Sequence, residues 1–523
     1  MYTPVLAPIG GSLTLSALLA ALPLVVLFVL LGVFRLRAWL AAAISLAVSV
    51  LVAVLGYPMP VGQAVLAATE GAAFGFFPIL WIVVNAIWIY NMTVHTGHFD
   101  VLRRSFARIS DDQRIQGVIV AFSFGALLEA LAGFGTPVAV TSVMLVALGF
   151  QPMKAATVAL VANTAPVAFG ALAAPITTLA TVSGLPLSDL AAMVGRQTPV
   201  LALFVPMVLV GIIDGWRGVR ETLPATLACG IVFAVAQYAT SNFFSAPLTD
   251  IVASLLSALA VVIAVRGRGR GKTETSDSRA EVVRAYAPYA IIIAVFALAQ
   301  IPAIKNALTA VTVTFNWPGL HLNTLSGKVS TLPAFKFDWL DAAGSLLVIA
   351  GLITIPVIKI SAGAALRAYG GTYRQLATAI VTVMAVLALA YVMNASGQTT
   401  TLGTWMAAAG GLFALLSPVL GWLGVAVTGS DTSSNSLFGA LQVTAAQHAG
   451  LSPTLMAAAN SAGGVLGKMI SPQNLAIVAG AVGLAGREGD LFRRVFLWSL
   501  ILLAVMCLLV FLQSTPVLGW MVV

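Results

Sequence analysis

From residue 12 to residue 34 the chain carries no charged side chain, and apolar runs of similar length recur to its end. About 20 apolar residues in a helix cross the ~30 Å hydrocarbon core of a bilayer. Overall 60% of the 523 residues are hydrophobic and 8% are charged, where a soluble domain carries roughly 25% charged. With a mean hydropathy of +1.02, a soluble fold of this length could not hide the excess. That excludes a soluble enzyme, a nucleic-acid binder and a disordered chain. The net charge of +9 does not point to nucleic acid, because the basic residues sit in short loops between apolar runs. Cys229 and Cys507 both lie inside apolar stretches, so no disulfide framework or zinc site is indicated. The fold class is an all-α polytopic membrane protein with the lipid bilayer as its partner.

Residues 1–11 lack Lys and Arg, so 12–34 is expected to be a first span rather than a cleavable leader. Further spans are expected near 38–56, 74–94, 199–213, 222–240, 244–265, 285–304, 343–358, 377–395 and 493–514. Lys and Arg in short loops resist translocation. Arg35 and Arg37 therefore place the first loop inside, and only Arg196, Lys305, Lys328 and Lys336 fall in outer loops. Both termini then lie outside. The count closes if 115–150 enters from the inside and returns there, and 403–448 does the same from the outside. The expectation is about 12 transmembrane helices plus two re-entrant hairpins. The chain divides into a first half, 1–265, with a broken-helix region at 115–185; a polar cytoplasmic linker, 266–284; and a second half, 285–523, with a broken region at 403–486. Residues 306–342 form the largest outer loop.

The two broken regions resemble each other. Asn163-Thr164-Ala165 is followed by Gly170 and Pro175, and Asn460-Ser461-Ala462 is followed at the same offsets by Gly467 and Pro472. Inverted repeats with broken helices meeting at the midplane mark secondary transporters. Unwound backbone survives in hydrocarbon only where it lines a polar cavity or is buried in protein. In 132–137, Gly133 and Gly135 permit a sharp turn, with Thr136 as helix cap and Pro137 at the first helical position. In 428–436, Ser430 or Asp431 can cap the next helix. Two converging helix N-termini form an anion site. Close helix packing is the other use for Gly170, Gly410, Gly411, Gly463 and Gly464.

Charges inside the membrane are functional candidates by default. Glu129 lies on the arm entering the first turn, either as a proton carrier or as a structural carboxyl. Asp431 lies in the second turn, where it can cap a helix, carry a proton or bind a cation. Lys468 can bind a carboxylate, pair with Glu129 or Asp431, or snorkel to the interface. Glu70, ahead of the 74–94 span, is expected at the interface. His95, His98 and Asp100 read as a solvated face. No nucleophile–base pair, phosphate loop or metal cluster stands out, and no enzyme activity or cofactor is expected.

Several strings resemble the lactate permease family of bacterial lactate and glycolate permeases. They are Glu-Gly-Ala-Ala-Phe-Gly-Phe-Phe-Pro-Ile-Leu-Trp (70–81), Gly-Ala-Leu-Leu-Glu-Ala-Leu-Ala-Gly-Phe-Gly-Thr-Pro-Val-Ala (125–139), Ala-Asn-Thr-Ala-Pro-Val-Ala-Phe-Gly-Ala-Leu (162–172), Thr-Gly-Ser-Asp-Thr-Ser-Ser-Asn (428–435) and Gly-Lys-Met-Ile-Ser-Pro-Gln (467–473). The resemblance runs nearly end to end. It implies proton-coupled uptake of L-lactate, D-lactate and glycolate across the bacterial inner membrane, and kinship with transporters that use an elevator-like motion. On this reading the substrate carboxylate sits near Gly135, Thr136, Ser430, Thr432 and Ser433. Asn163, Thr164, Asn460 and Ser461 bond its 2-hydroxyl, Lys468 adds a charged contact, and Asp431 or Glu129 carries the proton, with Asp431 favoured by its place at a turn. A sodium-coupled carboxylate transporter and a weak-acid or anion channel are the alternatives. Monomer and homodimer stay open.

Overall fold

The computed structural model of the chain describes residues 1–107, 110, 112–133, 135–265, 277–299 and 301–523. Residues 266–276 of the expected linker lie outside them. Among the described residues, ten helical units are long and apolar enough to cross a membrane, or eleven if Pro152–Ala162 and Val167–Ser183, bent by 67°, form one span. The chain is a multi-pass integral membrane protein. Several units hold internal breaks. Leu187–Phe243 is 57 residues long, ~85 Å at the helical rise and more than twice the hydrocarbon thickness, and it breaks at Gly215 (φ 68°, ψ −164°). Val61–His95 breaks at Phe77 (φ −129°, ψ 124°). The expected span 74–94 is therefore the second part of a helix pair that begins at Val61.

The outer loop corrects the all-α expectation. After helix Pro302–Thr309, strand β1 (Val313–Asn316) pairs antiparallel with β2 (Ala334–Phe337). Cross-strand aromatic pairs stabilise such ribbons. Phe315 packs tilted against Phe335 with ring centroids 5.5 Å apart, and Phe335 in turn meets Phe74 at 4.4 Å. The N-terminal Tyr2 docks here as well, donating its N–H to the His321 carbonyl.

Helices in lipid gain little from hydrophobicity and associate through close contact. In the second half, Phe413–Thr428 packs on Pro453–Gly467 backbone to backbone. A Cβ at Gly421, Gly463 or Gly467 would collide with the main chain of Asn460, Pro418 or Trp422. Gly410 and Gly411 do not share that role, since nothing lies within 4 Å of an added Cβ. Gly410 instead supplies the left-handed φ of 55° at which the chain between Gln398 and Thr428 bends.

Elsewhere the long helix Ala362–Ser396 packs on Ala38–Leu51 and Val61–Phe74. Glu70 faces into this packing and is fully buried, with no partner for either carboxylate oxygen. That corrects the interfacial expectation, because the helix carrying it starts nine residues earlier, at Val61. The two broken regions are the centre of the fold. Gly170–Ser183 packs on Asp431–Ala449, and Thr136–Ala147 packs on Pro472–Ala481. Each helical hairpin thus lies against the broken helix pair of the other region.

Candidate functional site

The first hairpin turns at Ala132–Gly135, between Gly125–Leu131 and Thr136–Ala147. Gly133 and Gly135 adopt φ of 49° and 83°, which residues with a Cβ rarely accept. Gly135 occupies the cap position and the helix starts at Thr136, one residue earlier than the sequence suggested. Thr136 donates its N–H to the Gly133 carbonyl at 3.1 Å. Phe134, at the tip, lies outside the described residues.

The second hairpin turns at Gly429 (φ 74°) and Ser430. Ser430 caps Asp431–Ala449, its hydroxyl accepting from the Ser433 N–H at 3.3 Å. The cap is Ser430 and not Asp431, which frees the Asp431 carboxyl. Its Oδ2 accepts from the Ser461 hydroxyl at 2.5 Å and the Asn435 amide at 3.4 Å, while its Oδ1 has no partner. Gly464 makes the space, since a Cβ there would strike that same Oδ1.

Glu129 is held differently. Lys468 from the second half donates to its Oε1 at 2.5 Å, and Asn163 donates to its Oε2 at 2.9 Å. Both charged side chains are buried, at 3% and 7% exposure. Gly170 gives this carboxylate room, because a Cβ there would sit 2.7 Å from Oε1. Just beyond, Ala171, Leu172 and Ala173 all take left-handed φ, at 43°, 52° and 60°. Each costs roughly 1–2 kcal/mol, so the break is imposed by its surroundings and not by local preference. The Pro175 carbonyl below it accepts from Asn435 at 3.1 Å. Asn435 also links onward through Asn460 (2.9 Å) to Gln442 (3.2 Å). A second-half side chain therefore satisfies the backbone of the first-half crossing.

These pieces enclose a cavity of about 510 Å³. Glu129, Lys468, Gly429–Ser433, Gly170–Ala171 and Pro175 form its inner wall, Thr378 and Thr382 face them, and Arg35 and Arg37 stand at its rim. The first N–H groups of Asp431–Ala449 have no partner within their own helix and carry the positive end of its dipole. The wall can therefore bind a small anion, with an ammonium and a partly unpartnered carboxyl beside it.

Of the residues singled out from sequence, Ser430, Asp431, Thr432, Ser433, Lys468 and Glu129 line this cavity. The others do not. Gly135 is turned towards Ile477 and Asn474 on Pro472–Ala481. Thr164 bonds its own helix at the Val161 carbonyl. Asn163 and Ser461 hold the two carboxylates, and Asn460 stands behind Asn435. One residue of each repeated pair, Asn163 and Ser461, buttresses an acid, and neither pair lines the cavity. Sequence reading missed Thr378, Thr382 and Gln473. The two threonines, four residues apart on one helix face, were the available signal.

The chain matches the family model described as L-lactate permease over residues 16–517. It is 40% identical to an L-lactate permease of Bacillus subtilis across the whole of both chains. It is 41% identical to a glycolate permease of Escherichia coli, over 100% of this chain and 99% of that one. The solved structure of MtrF from Neisseria gonorrhoeae aligns at a TM-score of 0.50 and 12% identity, covering 93% of this chain and 97% of that one, a likeness of fold alone.

Proposed function

The chain belongs to the L-lactate permease family and is a transporter rather than an enzyme, and from that premise we propose that it takes up small 2-hydroxymonocarboxylates, L-lactate, D-lactate and glycolate, in electroneutral symport with one proton. The observation that carries this reading is the cavity in which Asp431, without a cation partner, stands beside an anion-binding helix N-terminus and Lys468. The substrate carboxylate sits against the N–H groups and hydroxyls of Ser430, Thr432 and Ser433, and Lys468 adds a charge-assisted contact. An ionised Asp431 repels that carboxylate at close range, and a protonated one donates a hydrogen bond. Proton and anion therefore bind together. Glu129, already engaged by Lys468 and Asn163, serves as the counter-charge that keeps Lys468 from holding the anion too tightly.

Orientation follows the basic loops, which place Arg35, Arg37 and the cavity mouth on the cytoplasmic side of the bacterial inner membrane, with both termini outside. This is an inward-open state. The two hairpins and two broken crossings act as one inverted-repeat transport unit that moves elevator-like against the helices around Ala362–Ser396. Residues 1–265 and 285–523 are the two halves. The mutual packing of each hairpin on the opposite crossing supports that division.

The test is labelled L-lactate uptake into proteoliposomes with the inside alkaline, sodium absent and the potential clamped. Native protein accumulates lactate, and a protonophore abolishes the accumulation. Asp431→Asn loses accumulation yet retains lactate counterflow, because exchange needs no net proton movement. Accumulation by the Asn variant would rule out Asp431 as the carrier.

A further inference from the structure

A second polar seam lies behind the first broken crossing, outside the cavity. Asp250, in the first turn of Thr249–Ala264, is fully buried. Its Oδ1 accepts from the Gln237 amide at 2.9 Å, and its Oδ2 has no partner. The same Gln237 nitrogen reaches the carbonyl of Ala165, in the unwound stretch between Pro152–Ala162 and Gly170–Ser183, at 3.3 Å. The Gln237 oxygen accepts from Thr198 at 3.2 Å. Next to Thr198, Gln197 has a buried side-chain oxygen without a partner. So does Asn163, two residues from Ala165.

Every unsatisfied atom of this seam is an acceptor oxygen. Buried polar atoms are rarely left unpaired, and the missing partner must bring positive charge or hydrogens. Among the described residues no cation pairs with Asp250. Arg196, adjacent in sequence to Gln197, is turned instead to Asn242 and the Met521 carbonyl. The other titratable groups on the elements packed against Thr249–Ala264 are buried Glu129 and Cys229, exposed Tyr238, and Asp214, Arg217, Arg220 and Glu221 near the basic loop. The seam is also set apart from the cavity mouth. Thr249–Ala264 leads at its far end into the basic linker, whereas Asp250 lies at its start, and Gln197 bonds Gln513 at the end of Glu488–Gln513 remote from Arg487.

We infer that Asp250 anchors a buried site for a small monovalent cation, sodium ion or proton, at the outer end of the first half and hydrogen-bonded through Gln237 to the break in its crossing. The unpartnered, hard carboxylate oxygen and its single negative charge suit such an ion, and Gln237 ties its occupancy to the backbone at Ala165. The inference does not depend on which substrate the cavity takes.

The experiment melts purified native protein and Asp250→Asn in choline, sodium or lithium chloride at fixed ionic strength, between about pH 5 and 8. A ligand that binds only the folded state raises the melting temperature. A sodium-dependent rise on the order of 2 °C or more, seen in the native protein and absent from Asp250→Asn, assigns the site to sodium. With no sodium effect, convergence of the native melting temperature on that of Asp250→Asn as the pH falls assigns it to the proton. If neither response differs between the two proteins, the site is refuted and water fills the seam. Should Asp250→Asn fail to fold, Gln237→Met removes the carboxyl's donor at similar volume, and an unaltered sodium and pH response in that variant overturns the inference. Failure here leaves sodium-free, proton-driven lactate uptake untouched, so it is distinguishable from failure of the symport reading.

Discussion

The two hairpins each bring a carboxyl to the cavity, and the fold treats the two oppositely. Glu129 is closed on both oxygens, by Lys468 and Asn163, whereas Asp431 receives only a hydroxyl and an amide and keeps Oδ1 unpartnered. A buried ion pair is fixed charge, since neither member can be neutralised without stranding the other. A buried carboxyl with neutral donors leaves a proton free to come and go. On the proposed function, Glu129 is then the structural acid and Asp431 the acid that exchanges a proton.

The largest expected effect follows from stranding a charge. Glu129→Gln leaves the Lys468 ammonium buried and unpaired, a loss of about 3–5 kcal/mol, and the variant should melt far below the native protein or fail to accumulate in the membrane. Asp431→Asn, lacking a cation to strand, should stay within about 1 kcal/mol of native. Adding Lys468→Met to Glu129→Gln should restore most of the stability. Thermal melts of the four proteins check this, and equal losses in the two single variants would dissolve the contrast.

Removing the neutral donors comes next. Asn163→Ala takes a hydrogen bond from an ionised acid and should cost about 1.5–3 kcal/mol, while Ser461→Ala, at the acid without a cation, should cost about 0.5–1.5 kcal/mol. Ser461→Ala should also move the pH profile of uptake, and Asn163→Ala should not. Uptake measured across pH separates the two, and a shift seen only with Asn163→Ala would exchange the roles of the acids.

Much of this was legible in the chain, and the illegible part has one cause. Glu129, Asp431 and Lys468 stand out because charge is scarce in hydrocarbon, and the two turns stand out because glycine and hydroxyl residues cluster there. Their partners do not stand out. The pair Lys468–Glu129 is separated by 339 residues, and Asn435 reaches the Pro175 carbonyl across 260. Composition and spacing describe each half alone, but the site exists where one half meets the other. That is why Asn163 and Ser461 read as substrate ligands, while the structure has them hydrogen-bonded to Glu129 and Asp431. Glu70 and Asp250 were misjudged or passed over because each sits near the expected end of a span, where a charge needs no explanation until the packing shows it buried.

A smaller effect tests the glycines that clear each acid. Gly170→Ala places a methyl against Glu129, and Gly464→Ala places one against Asp431. Overpacking costs about 1–3 kcal/mol in either case. The functional readouts should diverge. Gly464→Ala displaces Asp431, the proton carrier of the proposed function, and should depress proton-driven accumulation more than counterflow, whereas Gly170→Ala should depress both alike. Proteoliposome uptake and counterflow measured side by side decide it, and parallel losses in both variants would mean that the two acids share one task.

The smallest effect concerns the rim, and it sharpens the contrast by leaving both acids alone. Arg35 is exposed at the cavity mouth with Arg37 nearby. The Lys468–Glu129 pair is neutral overall, so the attraction that draws an anion towards the inner wall comes from these rim charges and the helix dipole. Exposed charges act over a Debye length of ~8–10 Å at physiological salt, and salt weakens them. Arg35→Ala should therefore raise the KM for lactate a few-fold at low ionic strength when substrate is offered from the cavity-mouth side, and the difference should fade as salt rises. Because steering precedes coupling, counterflow by Asp431→Asn should show the same salt-dependent change when Arg35→Ala is added. A KM effect that persists at high salt would place Arg35 in direct contact with the substrate, and an effect confined to proteins with an intact Asp431 would make the rim part of the proton machinery.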